Sequence, residues 1–84
     1  MSGVWQAVYH QRAWDFAEGL TKRERKRLNE AVRDLTRHPF AEPDSEIVMT
    51  NQRSVSRRML RGYRIHYWLD VFVKELVIVD LEHP

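Results

Sequence analysis

Between Ile47 and Leu69 the chain carries no acidic residue, and Arg53, Arg57, Arg58, Arg61 and Arg64 all fall inside that stretch. Every cation in the block is an arginine. A guanidinium is planar and presents a fork of donors that matches phosphate or carboxylate, whereas an ammonium acts as a point charge. His66 follows Arg64 by two residues, the acids Glu42, Asp44 and Glu46 lie just upstream, and His83 stands near the C-terminus. Such a set can cleave RNA without a metal. A carboxylate or a histidine takes the proton from a 2′-hydroxyl, arginine stabilises the charge that builds on the phosphorane, and a histidine protonates the leaving 5′-oxygen. Plainer readings stand beside this one. The arginines can be a solvated strand face, His66 a polar residue on a half-buried strand, and the three acids ordinary loop residues. Trp5, Trp14 and Trp68 read as core or interface anchors before they read as platforms for stacked bases.

Other chemistries find no residues to carry them. The sequence has no phosphate-binding glycine-rich loop and no serine in a nucleophile elbow. His10, His38, His66 and His83 are far apart and there is no cysteine, so neither a zinc spacing nor a disulfide framework is present. We therefore expect no metal and no cofactor. The net charge is only +2, but its uneven distribution points to a polyanionic partner. At 43% apolar and 31% charged residues the chain is too apolar for a disordered one. Its 84 residues suit one domain, 1–84, with a small core to which a partner would add buried surface. MSGVWQAVYH lacks the apolar run of a signal peptide and no segment is long enough to span a membrane, so a cytoplasmic protein is the simplest reading.

The elements that must position these residues follow from periodicity. Val4 to Tyr9 reads as a strand. Ala13, Phe16, Ala17 and Leu20 recur at helical spacing, which predicts a helix from about Gln11 to Glu18. Thr21 and Glu24 form a capping-box pattern opening a second helix, whose stripe is Leu28, Ala31, Val32 and Leu35 and which Pro39 stops after His38. The short gap between the helices predicts an antiparallel hairpin. Pro39 to Asp44 is a loop, Glu46 to Met49 a short edge strand, and three strands follow over Val55–Leu60, Tyr63–Phe72 and Leu76–Leu81. In the middle one Tyr63, Ile65, Tyr67, Leu69 and Val71 share one face and Arg64, His66, Trp68 and Asp70 the other. The expected fold is α+β: an N-terminal strand and a two-helix hairpin packed on one face of a mostly antiparallel, twisted sheet of four to five strands. Ala13, Phe16, Leu28, Val32 and Leu35 are expected in the core beside Ile65 and Val79. If Tyr63, Ile65 and Tyr67 face the helices, Arg64 and His66 alternate onto the uncovered face.

The segment Arg57-Arg58-Met59-Leu60-Arg61-Gly62-Tyr63-Arg64-Ile65-His66-Tyr67 resembles the RelE/ParE toxin superfamily: a basic strand, a turn, then an aromatic-or-His–Arg–apolar–x–Tyr strand. Val4-Trp5, Ala13-Trp14-Asp15, Thr36-Arg37-His38-Pro39-Phe40 and Ser56-Arg57-Arg58 are similar to its YoeB-like branch. The chain ends Glu82-His83-Pro84 where that branch ends with an aromatic residue, His and Tyr. The resemblance covers almost the whole chain. It implies a RelE-like fold and the toxin of a type II toxin–antitoxin system, a metal-independent endoribonuclease that cleaves messenger RNA on the 70S ribosome and so inhibits translation. It also implies a cognate antitoxin with a mostly disordered tail. Both a homodimer and a toxin–antitoxin hetero-oligomer are compatible with it. On matching positions Arg64 is the catalytic arginine, His83 the general acid, Glu46 the general base and Arg58 a supporting cation. Arg53, Arg57, Arg61 and His66 complete the expected RNA-binding set. Pro84 replaces the branch's terminal tyrosine. The superfamily also includes ParE-type proteins that poison DNA gyrase and lack nuclease residues, and a toxin-fold protein without toxicity is a third class.

Overall fold

The second helix of the hairpin starts where the sequence provides a cap. Thr21 Oγ1 accepts the backbone N–H of Glu24 at 3.2 Å, and Glu24 Oε1 accepts that of Thr21 at 2.9 Å. Two donors that the helix leaves unpaired are thereby satisfied. In the computed structural model, which describes residues 4–48 and 54–83, the elements run β1 (Gln6–Tyr9), α1 (Gln11–Glu18), α2 (Lys22–Arg37), β2 (Ser45–Val48), β3 (Ser54–Leu60), β4 (Tyr63–Asp70) and β5 (Glu75–Glu82). The cap also lowers the pKa of Glu24, through its hydrogen bonds with Thr21. Thr21→Ala is expected to destabilise the domain by about 1 kcal/mol, which for a chain of this size lowers the melting temperature by roughly 4–8 °C. A carboxylate whose pKa is depressed on folding contributes stability that is present above its ordinary range and lost as pH falls through the folded value. The gap in melting temperature between wild type and variant should therefore narrow in acid. A gap that widens below the ordinary glutamate range would contradict this account of the cap.

The five strands form one sheet in the order β1-β5-β4-β3-β2. The β1–β5 pair is parallel and the other three are antiparallel. The crossover through α1 and α2 carries the chain from one edge of the sheet to the other, and both helices press on one face. Ala13, Leu28, Ala31, Val32 and Leu35 from the helices meet Tyr63, Ile65, Tyr67, Leu76, Ile78 and Leu81 in a single core, with Phe16 and Ala17 partly buried against it. Tyr63 lies inside because its hydroxyl donates to the Glu24 carbonyl at 3.0 Å, so a buried O–H is not left without an acceptor.

Two turns fix the register. Arg61 and Gly62 connect β3 to β4 with φ of 52° and 86°. Positive φ at both central residues is the type I′ arrangement whose twist matches flanking strands. Glycine takes it freely. Arg61 is held there by its guanidinium, which binds Asp34 at 3.1 Å and Glu30 at 3.6 Å on α2. The second turn spans residues 71–74, with Lys74 at φ 57°. It ends β4 at Asp70, two residues before the expected limit, and leaves Val71, Phe72 and Val73 exposed.

One departure affects everything downstream. His66 pairs with Asp80 but Tyr67 pairs with Ile78, so Val79 is skipped by the ladder in a β-bulge. The core place expected for Val79 is taken by Ile78, and Val79 itself is only half-buried. The bulge also inverts the sequence alternation: Leu76 and Ile78 face the helices before it, Leu81 after it. The other expected core positions hold, with Phe16 at the margin rather than enclosed. The expected end of the edge strand at Met49 lies outside the described residues. No described helix is long and apolar enough to cross a membrane.

Candidate active site

Because Tyr63, Ile65 and Tyr67 turn toward the helices, Arg64 and His66 project from the opposite face. Cross-strand pairing sets their neighbours. Arg57 stands beside His66, Met59 beside Arg64, and Glu82 beside Arg64 on the other flank. The Glu82 carboxylate joins them: its Oε1 accepts from Arg64 Nη1 at 3.0 Å and meets His66 Nε2 at 3.0 Å. These bonds, first the one with His66 and then the one with Arg64, hold the Glu82 carboxyl below the usual glutamate range. Exposure grades across the trio, with side chains of Arg64 and Glu82 at 41% and 44% and His66 at 14%. The imidazole therefore sits behind the other two.

The β2–β3 edge supplies the other wall. Arg57 Nε donates to Ser45 Oγ at 2.9 Å. Asp44 fixes the entry of β2, its N–H donating to the Arg57 carbonyl at 2.8 Å and its Oδ2 accepting the Met59 N–H at 2.8 Å. Asp44, Ser45, Arg57, Arg58, Met59 and Arg64 line an open cleft of about 350 Å3. Three arginines, Arg57, Arg58 and Arg64, stand against two carboxylates, Asp44 and Glu82, so the cleft and its mouth keep a net positive charge. Further along this face Val55 and Val77 are buried although they point away from the helices, in the rows of Ile47 and Trp68. The face is thus half basic and half apolar. It can bind a phosphate and stabilise added negative charge, with a carboxylate and an imidazole in position for proton transfer. Among the described residues no group of three or more His, Asp or Glu side chains is arranged to hold a metal ion.

The residues expected from sequence do not all come together. Arg57, Arg64 and His66 share the open face. His83 does not join them: it follows the last residue of β5, lies on the helix side, and packs against Phe16 and Tyr63 with ring centroids 5.1 and 5.5 Å away. Glu46 pairs with Ser56, which pairs with Tyr67, so Glu46 also belongs to the helix-side face. Arg58 pairs with Ile65 on that same face and reaches the cleft from its rim. Arg61 is tied to Glu30 and Asp34 on α2, which gives it a structural task in the turn. Arg53 lies outside the described residues. Two contributors went unpredicted. Ser45 could have been found only from the register of an edge strand, and Glu82 only by knowing of the bulge that brings it opposite Arg64.

No protein-family model matches the chain, and no curated protein is significantly similar to it in sequence. Its shape is another matter. The archaeal RelE–RelB complex from Pyrococcus horikoshii contains a chain that superposes with a TM-score of 0.70 at 19% identity, over 96% of each chain. The toxin–antitoxin complex RelBE2 from Mycobacterium tuberculosis gives 0.76 at 19% identity, over 95% of this chain and 91% of that one. The YoeB/ParE toxin from Agrobacterium tumefaciens gives 0.62 at 18% identity, over 94% and 98%. At such identities the likeness establishes the fold, which is RelE-like over 94–96% of the chain.

Proposed function

We propose that this chain, a RelE-like domain, is the toxin of a type II toxin–antitoxin system and cleaves messenger RNA on the 70S ribosome by metal-free acid–base chemistry. The observation that carries the reading is the open face of the sheet, where Arg64 projects beside a carboxylate and an imidazole at the mouth of a basic cleft. A phosphodiester laid in that cleft would meet the Arg64 fork, whose value grows as charge develops on the phosphorane. The cytoplasm, where ribosomes are, is the corresponding compartment. The partner that restrains the toxin is an acidic, amphipathic antitoxin segment that folds on this arginine-rich surface and helices. The resemblance of the sequence to the YoeB-like branch supports the ribosome-dependent reading, and Arg64 is the position where resemblance and geometry coincide.

A second reading has one observation in its favour. Glu46 and His83, to which the resemblance assigns the base and the acid, stand on the face opposite Arg64. A ParE-like toxin that binds DNA gyrase needs no such pair. The deciding measurement is primer extension on messenger RNA programmed into purified ribosomes. The nuclease reading expects discrete cleavage without added metal and none at a scissile nucleotide carrying a 2′-deoxy group, because the nucleophile is then missing. Cleavage of the 2′-deoxy substrate would end the mechanism, and intact messenger together with inhibited gyrase would establish the second reading.

A further inference from the structure

We infer that Glu82 is the general base of this site, taking the proton of the attacking 2′-hydroxyl, and that His66 is the positioning residue that aims its carboxylate. The inference rests on the nuclease reading above and goes beyond it by naming the group that moves the proton. Of the acids upstream of the arginine block, Asp44 is bonded to the Met59 backbone N–H and Glu46 belongs to the other face. Glu82 is the carboxylate in contact with Arg64, and it is exposed enough to touch a bound nucleotide. His66 is mostly enclosed behind it and reaches it through Nε2. That placement suits a group that orients another better than one that meets substrate itself. The charged and titratable groups around Glu82 are Arg64 and His66 on β4, Asp80 on β5, and Arg57 beyond His66 on β3.

The arrangement also contains its own trigger. In the free protein, Arg64 and His66 both bind Glu82 Oε1, and a carboxylate so held is a weak base. A phosphate entering the cleft competes for the Arg64 guanidinium. As Arg64 turns to the phosphate, Glu82 loses one of its two partners and gains basicity just when a 2′-hydroxyl arrives. The 2′-oxygen then forms its bond to phosphorus as its proton passes to Glu82. The phosphorus–O5′ bond breaks, the 5′-oxygen takes a proton from water, and Glu82 returns its own to solvent. The products are a 2′,3′-cyclic phosphate and a 5′-hydroxyl, so protons and bonds balance.

The test is single-turnover cleavage on programmed ribosomes as a function of pH, using wild type, Glu82→Gln, Glu82→Asp and His66→Ala. Circular dichroism and melting confirm the fold of each variant, and affinity for the 2′-deoxy messenger reports binding. Glu82→Gln should lose roughly 10²–10⁴-fold in rate, the range for a general base, with binding unchanged or tighter because a negative charge is gone. Glu82→Asp should recover part of the rate. His66→Ala should keep measurable cleavage but move the acidic limb of the pH profile upward, because the largest influence lowering the Glu82 pKa has been removed. A purely structural role for His66 would lower stability and leave that limb in place. Wild-type cleavage with an equally active, folded Glu82→Gln variant overturns this inference and leaves the nuclease reading standing. No cleavage by the wild type overturns both.

Discussion

Replacing Arg64 with alanine should abolish toxicity and reduce messenger cleavage by roughly 10²–10³-fold, the loss seen when one preorganised donor to a developing oxyanion is removed. The fold should survive, because the Arg64 side chain is 41% exposed and lies outside the core. Arg64→Lys should restore only part of the rate, since an ammonium cannot reproduce the guanidinium fork. Two measurements check this: growth after induction, and cleavage by purified protein at equal folded concentration. Full cleavage by a folded Arg64→Ala protein would remove the residue from the mechanism altogether.

The second large effect is on stability. Leu28 is 1% exposed in the middle of α2, against a core shared with Tyr63, Ile65 and Leu81. Leu28→Ala should cost about 2–5 kcal/mol, combining lost transfer energy with the cavity left behind. Natural domains hold about 0.05–0.15 kcal/mol per residue, so this one change takes a large fraction of the total. Urea unfolding should show a midpoint shifted far down with little change in slope. A shift under about 1 kcal/mol would mean that α2 does not seat on the sheet as described. Binding of an antitoxin would mask much of the loss, because a ligand of the native state raises apparent stability.

What sequence reasoning captured here is local. The capping box at Thr21 and Glu24 involves residues three apart, and Pro39 acts on its own turn, so both helices have nearly the expected limits. The alternation in β4 is unbroken from Tyr63 to Tyr67, and it correctly sent Arg64 and His66 to the uncovered face. Local pattern does not reach the features that distant segments decide. Counting by twos puts His83 in phase with Val77, Val79 and Leu81, yet Val77 and Leu81 lie on opposite faces because the bulge intervenes. No pattern within β5 announces that. The side on which Glu46 falls depends on how Pro39–Asp44 delivers the chain to the sheet edge, and the bond from Arg61 to Asp34 spans 27 positions. Chemistry-bearing residue types were visible, whereas their grouping is a property of register.

Val79 has a consequence for how this fold can change its length. The ladder passes directly from Ile78 to Asp80, so a chain lacking Val79 would keep the same rungs and both faces unaltered. In β4 there is no spare residue, and losing one there would exchange core for solvent along the rest of the strand. Of two neighbouring strands that jointly hold the site, one is elastic to deletion and the other is not. At Val79 a residue can be shed beside the Arg64 face without redrawing it.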